Sequence, residues 1–374
     1  MRFAEYTDEW HKYALSDFVI RITRRNKNNE SSLPLTISAQ YGLVDQITFF
    51  NKTVASVDLS GYYLLYNGDF AYNKSYSNDY AWGAVKRLDK YEKGCLSSLY
   101  FVFRPTDKVD SDYLTHYFET SKWHKGISDI AGEGARNHGL LNMAVDDYFA
   151  TKHYLPSLSE QKKIACFLNL ITKRIEIQNK IISKYETLIK GIRERIVNCG
   201  WQWKKLDELI QKGIVRLNRG NIIPKHQKDN AYKYPVYSSS TQNNGLMGYN
   251  DTYMFDKELI TWSIDGGGNF FYRKKHKFNV TNVCGILQVN ENVYSYRFIA
   301  EMLTYQHSKM KFDYQSKAHP SVISSLYSLP CLPISEQNSY CRLFIALDKK
   351  MQIEQCCLNK LKEQKKYLLS KMFI

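Results

Sequence analysis

Proline is scarce, with 8 in 374 residues, and it is absent both from Ser159 to Val197 and from Ser335 to Ile374. Gly191 is the only glycine in those two stretches, so nothing there forces a helix to break. No two prolines are adjacent, which removes the Asn-Pro-Pro-Tyr type of loop used by amino-methyltransferases. A Gly-x-x-x-x-Gly-Lys-Ser/Thr loop is also missing, which removes a nucleotide-driven motor. The 8 cysteines are scattered, with no Cys-x-x-Cys pair and no His-Cys spacing suited to zinc, so neither a disulfide framework nor a metal site is expected. Cys356 and Cys357 are sequence neighbours, but on a helix adjacent side chains diverge. There is no long apolar span, and Met1-Arg2-Phe3-Ala4-Glu5-Tyr6 is mixed and charged, so a cytoplasmic, membrane-free protein is expected. Acidic residues are in deficit, 37 against 52 basic ones, for a net charge of +15 and a pI near 9.2. Such a balance suits a polyanionic partner better than an acidic small molecule.

What is present is a duplication. Leu158-Ser159-Glu160-Gln161 opens one long helix-like stretch and Ile334-Ser335-Glu336-Gln337 opens another, 176 residues later. In the first, apolar positions step by three and four: Ile164, Leu168, Ile171, Ile175, then Gln178, Ile182, Tyr185, Ile189, Ile192 and Ile196. The same shift gives Tyr340, Phe344, Leu347, Met351, Glu354, Leu358, Leu361, Lys365, Leu368 and Met372. This is a heptad seam, with Glu354 opposite Gln178 as a polar position common to both copies. Ser159 and Ser335 are expected as N-caps, and Asn198-Cys199-Gly200 as the stop of the first helix. About 35 residues make a rod of roughly 50 Å, and a seam this narrow needs a partner. Antiparallel pairing of the two copies fits best, because a pseudo-twofold axis then relates the halves of the chain. The helices carry +9 of the +15, which suits either phosphates or acidic partner subunits.

Between the helices lie two blocks, about 1–155 and 201–331, each opening on tryptophan: Trp10 in the first, Trp201 and Trp203 in the second. Both read as short strands broken by turns, closed by helical stretches near Tyr113 to Lys125 and Ser295 to Lys311, so mixed α/β (α+β) domains are expected. Gly61 to Tyr66 followed by Asn67-Gly68-Asp69 and Phe70 to Asn73 reads as a hairpin. Leu259 to Ile264 runs into Asp265-Gly266-Gly267-Gly268, a tight loop lacking the Lys-Ser/Thr that phosphate cradling would add.

The duplicated opening, Leu155-Pro156-Ser157-Leu158-Ser159-Glu160-Gln161 and Leu332-Pro333-Ile334-Ser335-Glu336-Gln337, with the coil that follows it, resembles the DNA specificity subunit of type I restriction-modification systems over nearly the whole chain. Leu35 to Ser38 with Tyr41-Gly42, and Tyr237 to Ser240 with Gly248-Tyr249 and Asp265, also look like that family's recognition domains. The resemblance implies target-recognition domains at 1–155 and 201–331 and helical spacers at 156–200 and 332–374. It implies a non-catalytic subunit, each recognition domain reading one half of a split double-stranded DNA target. An antiparallel coiled coil would set the spacing and dock two modification subunits. Those partners would carry S-adenosylmethionine, and restriction (motor) subunits would complete the complex; no cofactor is expected on this chain itself. The stretch before Trp10 is short, so an N-terminal arm found in some members is left open.

Groove reading needs polar groups on loops with cations nearby. Candidates in the first block are Arg21, Arg24, Arg25, Lys74, Lys86, Arg87, Arg136, Asn137 and His138. In the second they are Ser238 to Asn244, among them Ser240, Gln242 and Asn244, the basic run Arg273, Lys274, Lys275, His276 and Lys277, and Lys317 with His319. The bland reading of each is an ordinary surface residue; the run Arg273 to Lys277 is the strongest for phosphate, where charge density counts most. Two rivals stand beside the specificity subunit. A self-contained restriction endonuclease or methyltransferase would have to use Glu363-Gln364-Lys365, which instead reads as solvated helix, and a coiled-coil adaptor would ignore DNA.

Overall fold

A computed structural model describes residues 1–52, 54–77, 80–131, 136–137, 140–223, 232–240, 242–265, 267–310 and 317–374, with backbone alone at Arg136 and Asn137. The chain forms two compact units, Met1–Gln178 with Cys357–Ile374, and Asn179–Cys356. The division falls inside both long helices, so each unit owns part of each.

The first unit opens with β1 (His11–Ala14), β2 (Val19–Arg21), β3 (Leu35–Ser38), β4 (Gly42–Asp45) and α1 (Gln46–Phe50). It continues with β5 (Tyr63–Tyr66), β6 (Phe70–Asn73), β7 (Ala84–Arg87), β8 (Lys93–Leu96) and β9 (Phe101–Pro105). Then come α2 (Ser111–Tyr117), α3 (His124–Ile130), β10 (Arg136–Asn137), β11 (Leu140–Leu141), α4 (Val145–Ala150), β12 (Lys152–Leu155) and the start of α5 (Leu158–Asn198). Four strands make one sheet in the order β2-β9-β6-β7, while β1 pairs antiparallel with β12 and so ties the block's entry to its exit. Its core is aromatic: Tyr72 stacks on Tyr148 at 4.8 Å, and Tyr113, Tyr148 and Phe103 are fully buried.

Asn67-Gly68-Asp69 does turn the chain, with Gly68 at φ +87 and the Asp69 N–H donating to the Tyr66 carbonyl at 2.9 Å. It does not make a hairpin, because β5 pairs with β8 and β6 with β7 and β9. The local signal was for a turn, which Asp69 holds, and it does not say which strands pair. Its buried carboxylate accepts the Tyr66 N–H at 2.8 Å and pairs with Arg24 at 3.1 Å and Arg104 at 2.6 Å.

The second unit carries the rest of α5, then β13 (Trp203–Lys205), α6 (Leu206–Gln211), β14 (Val215–Arg219), β15 (Tyr234–Tyr237) and β16 (Leu246–Asn250). A long curled hairpin follows, β17 (Phe255–Ser263) and β18 (Phe270–Val280), then β19 (Cys284–Val289), α7 (Tyr296–Lys309), α8 (Pro320–Leu326), β20 (Ser328–Pro330) and α9 (Ile334–Met372). The six-stranded sheet runs β14-β19-β17-β18-β15-β16, and β13 pairs with β20 as β1 does with β12. Trp262 lies flat on the backbone of Gly285, where an added Cβ would sit 2.0 Å from the indole ring, so only glycine fits opposite it.

All twenty seam positions of α5 and α9 are buried or half-buried. In the first unit Ile164, Leu168 and Ile171 of α5 share a core with Leu368 and Met372 of α9. In the second, Ile189 and Ile196 share one with Phe344 and Leu347. The early part of one helix thus meets the late part of the other, which is antiparallel pairing. Between Ile171 and Ile189 no residue of α5 is fully buried; Ile175, Gln178, Ile182 and Tyr185 are half-covered. On α9 the seam continues through Met351, Leu358 and Leu361. The helices begin at Leu158 and Ile334, so Ser159 and Ser335 lie in the first turn and not at the cap; Ser157 reaches the Glu160 N–H instead, at 3.4 Å.

The duplicated glutamine explains why the motif repeats. Gln161 is buried; its amide donates to the Pro156 carbonyl and its oxygen accepts the backbone N–H of Asp110, both at 2.9 Å. Gln337 donates to the Leu332 and Val293 carbonyls at 2.9 Å and accepts the Ser295 N–H at 3.0 Å. Asp110 and Ser295 are the N-caps of α2 and α7, so each glutamine fastens its long helix to the start of a helix within its own block. Glu160 is buried against Arg2, with bonds of 2.6 and 2.7 Å, whereas its counterpart Glu336 is exposed. Replacing Gln337 by Leu strands three backbone groups at about 1–3 kcal/mol each, so chemical denaturation should show a loss of several kcal/mol, while Glu336→Leu should change little.

His153 of β12 is buried between the Tyr117 hydroxyl at 2.8 Å and the Thr151 hydroxyl at 2.9 Å, and burial pushes its pKa down to about 4. Folding thus favours the neutral ring, so its contribution is complete above the ordinary value near 6.5 and is lost as pH falls towards 4. The first unit should lose roughly 3 kcal/mol over that window, and His153→Gln should flatten the curve of melting temperature against pH.

Candidate nucleic-acid interface

In the first unit three of the candidate cations are spoken for. Arg24 donates to the Leu64 carbonyl, pairs with Asp69 and lies 4.2 Å from the Tyr66 ring. Arg25 bonds the Gly61 carbonyl and covers the Tyr63 ring. Arg87 is paired with Asp89 and Asp112, each at 2.6 Å. These residues hold the block's shape. Arg21 is exposed, and His138 falls outside the described residues.

Lys74 is placed differently. It follows β6, its amine lies 4.7 Å from the Phe101 ring, and partial burial lowers its pKa. Its carbonyl accepts the Leu141 N–H at 3.0 Å, which sets the β10–β11 hairpin beside it. The structure therefore brings Lys74 to β11, the partner of the strand that carries Arg136 and Asn137.

In the second unit the basic run divides. Arg273 is 4% exposed: its Nε donates to the Thr261 hydroxyl at 2.9 Å, and its guanidinium lies 3.6 Å from the Tyr237 ring centre. It sits under Gly245, whose added Cβ would come within 3.3 Å of Nη2. Burial lowers its pKa. Expected as part of an exposed phosphate-binding run, it is instead a prop beneath the turn Gln242–Gly245, because strand alternation turns it inward. Lys274, Lys275 and Lys277 are exposed, and Lys277 rides 4.6 Å over the Tyr253 ring.

Above Arg273, Gln242, Asn243 and Asn244 are exposed, with Asn243 and Asn244 both in the left-handed region at φ 48 and 51. Asparagine adopts that backbone more readily than most residues, so the turn holds its polar side chains outward. Ser240 supports it by accepting the Gln242 N–H at 3.2 Å. His319 lies elsewhere, at the N-cap of α8 against Arg219, beside a Lys317–Asp265 pair at 3.6 Å. Arg219, and Lys257 on the rim of β17, escaped sequence reading. The available signal for Arg219 was Gly220, whose Cβ would strike the Val280 carbonyl at 2.0 Å.

Residues 198–363 match the family model described as the type I restriction modification DNA specificity domain. The provisionally named type I specificity subunit S.MpnORF365P of Mycoplasma pneumoniae is 31% identical over 189 residues, 49% of this chain and 70% of that protein. The chain belongs to the type I specificity-subunit family. Another M. pneumoniae relative, the specificity subunit of the type I restriction enzyme MpnII, is 31% identical over 130 residues, 34% of this chain and 39% of its own. The matched segments span only 43%, 43% and 50% of three further curated relatives. The fold is that of a solved specificity subunit from M. genitalium, with a TM-score of 0.62 at 16% identity over 100% of this chain and 99% of that one. A chain from a study of type I system assembly and conformational transition matches with a TM-score of 0.56 at 14% identity, over 98% of each.

In this specificity-subunit fold, Arg273 and its three lysine neighbours should respond in opposite ways to truncation. Arg273→Ala removes the stack on Tyr237 and leaves Thr261 unpaired, so stability should fall by about 1–3 kcal/mol. Changing Lys274, Lys275 and Lys277 together to Ala should leave denaturation within about 0.5 kcal/mol of the parent.

Proposed function

We propose that the chain is the DNA-reading subunit of a type I restriction-modification complex and catalyses nothing itself. Each block, 1–155 and 201–331, reads one half of a bipartite double-stranded target, and the antiparallel helices set the distance between the half-sites. The observation that carries this reading is the doubling of one device: a block closed by paired end strands, fastened by a buried glutamine to a helix whose seam faces its counterpart. An enzyme has no evident use for two such copies, whereas a bipartite target does. Glu363, of the Glu363-Gln364-Lys365 spacing, is exposed on α9.

The helices also present exposed apolar side chains away from the seam, Leu170, Ile177 and Leu188 on α5 and Leu343, Ile353 and Tyr367 on α9. These suit two modification subunits, which would bring S-adenosylmethionine, with restriction (motor) subunits joining them. Lys274, Lys275 and Lys277 on β18, together with the turn Gln242–Asn244, form the phosphate and groove contacts of the second block; Lys74 beside the β10–β11 hairpin does the same in the first.

Methylome mapping of two variants tests this. A chimera carrying a relative's block in place of residues 201–331 should change one half of the methylated sequence and leave the other intact; a change in both halves would sink the modular reading. Four residues inserted between Tyr185 and Arg193 lengthen a helix by roughly 6 Å, equivalent to one or two base pairs, and should lengthen the spacer alone. An active complex with an unchanged spacer would make the coil a docking surface only.

A further inference from the structure

The first unit contains a cavity of about 730 Å³ that the DNA reading does not use. Its walls are the β3–β4 tip, strand β7, the turn between α2 and α3, and the end of α9. A space this size accommodates a ring-bearing small molecule, while its concavity keeps out the smooth backbone of a duplex.

The charge of the lining is one-sided. Lys86, Lys122 and Lys366 face it together with His124, and Glu119 is the only acidic residue among the described lining. Glu119 is already committed, paired with Lys365 at 2.8 Å, and its pKa, about 2, keeps it ionised despite the burial that opposes this. Lys86 is half-buried with no carboxylate oxygen within 4.0 Å among the described residues, and burial lowers its pKa. Glu119 attracts it from beyond ion-pair distance while Lys365 repels it, so burial outweighs the attraction and the cost of withdrawing this cation from water is met only in part. The hydroxyl of Thr120 is spent on the Tyr117 carbonyl, which leaves the exposed Ser121 as the free hydroxyl of that turn, while Tyr80, Ala84 and Leu369 supply apolar wall.

We infer that this cavity binds a phosphate-bearing ligand of mononucleotide size, with the phosphate on Lys86, Lys122 and Lys366 and the ring against Tyr80 and Leu369. The shared chemistry has two sources, a free nucleotide or an unpaired nucleotide of a DNA strand. The inference stands apart from bipartite reading, which is scored by a chimera in the other unit.

Calorimetric titration of the full chain with inorganic phosphate, AMP and the oligonucleotide d(A)4 tests it, alongside Lys86→Gln and Lys122→Ala. AMP should bind more tightly than phosphate, and each variant should weaken AMP at least tenfold. In the absence of ligand, Lys86→Gln should melt at the same or a higher temperature than the parent, because it removes a buried cation that Glu119 compensates only in part; a lower melting temperature would make Lys86 a structural partner of Glu119 and overturn the inference. So would undetectable binding of AMP at millimolar concentration, equal binding of AMP and phosphate, or AMP binding that neither variant weakens. If d(A)4 displaces AMP, the ligand is a DNA nucleotide; if it does not, a free one, and either result upholds the phosphate assignment.

Discussion

A heptad seam only a few side chains wide is the constraint on which the rest depends. Neither α5 nor α9 has an apolar face broad enough to bury itself against its own block along its whole length, so each needs the other helix. The two ends of the seam are treated differently from its middle. Near Ile164 to Ile171 and Ile189 to Ile196 the seam joins a full core and side chains are nearly sealed, whereas Ile175 to Tyr185 are only half-covered. Deep burial anchors the ends, and Gln178 and Glu354 each occupy a half-covered seam position where an apolar residue would bind more strongly but less selectively.

The helices must also hold their blocks firmly. Hydrophobic contact alone would permit sliding, since dispersion is non-directional. The buried Gln161 and Gln337 remove that freedom because each amide meets backbone groups in fixed directions, and a misplaced helix would leave them unsatisfied. Charged groups add to this in each unit. Asn169 bridges His116 and Asp112 at 2.8 Å, and Glu301 takes Arg193 from α5 and Arg297 from α7, which in turn reaches Asp348 of α9 at 2.7 Å. The contacts differ residue by residue between the copies while doing the same work, and only the glutamine is common to both.

A block fastened this way can vary its loops without disturbing its attachment. In the first unit the arginines nearest the turns are consumed by Asp69 and by backbone carbonyls, and in the second Arg273 props the turn above it. The groups left outward at that turn, Gln242, Asn243 and Asn244, rest on that internal scaffold. Rigid support beneath polar side chains is what selective contact with a base edge requires.

By itself the sequence determined the features that repeat or follow a period: two long helices from three-four spacing and missing proline, their antiparallel sense from the shift of 176 residues, two mixed blocks, and the turn at Asn67-Gly68. Those signals are local, or they recur, and so survive without knowledge of contacts. Tertiary structure alone decided which strands pair, why the motif glutamine is kept and which cations stay free. Asp69 pairs with Arg24 and Arg104 from 45 and 35 residues away, and nothing in the spacing announces it. Arg273 and Lys274 look alike as letters in a basic run, yet one is buried under Gly245 and the other exposed, because strand alternation and the curl of β17 and β18 send adjacent side chains to opposite faces.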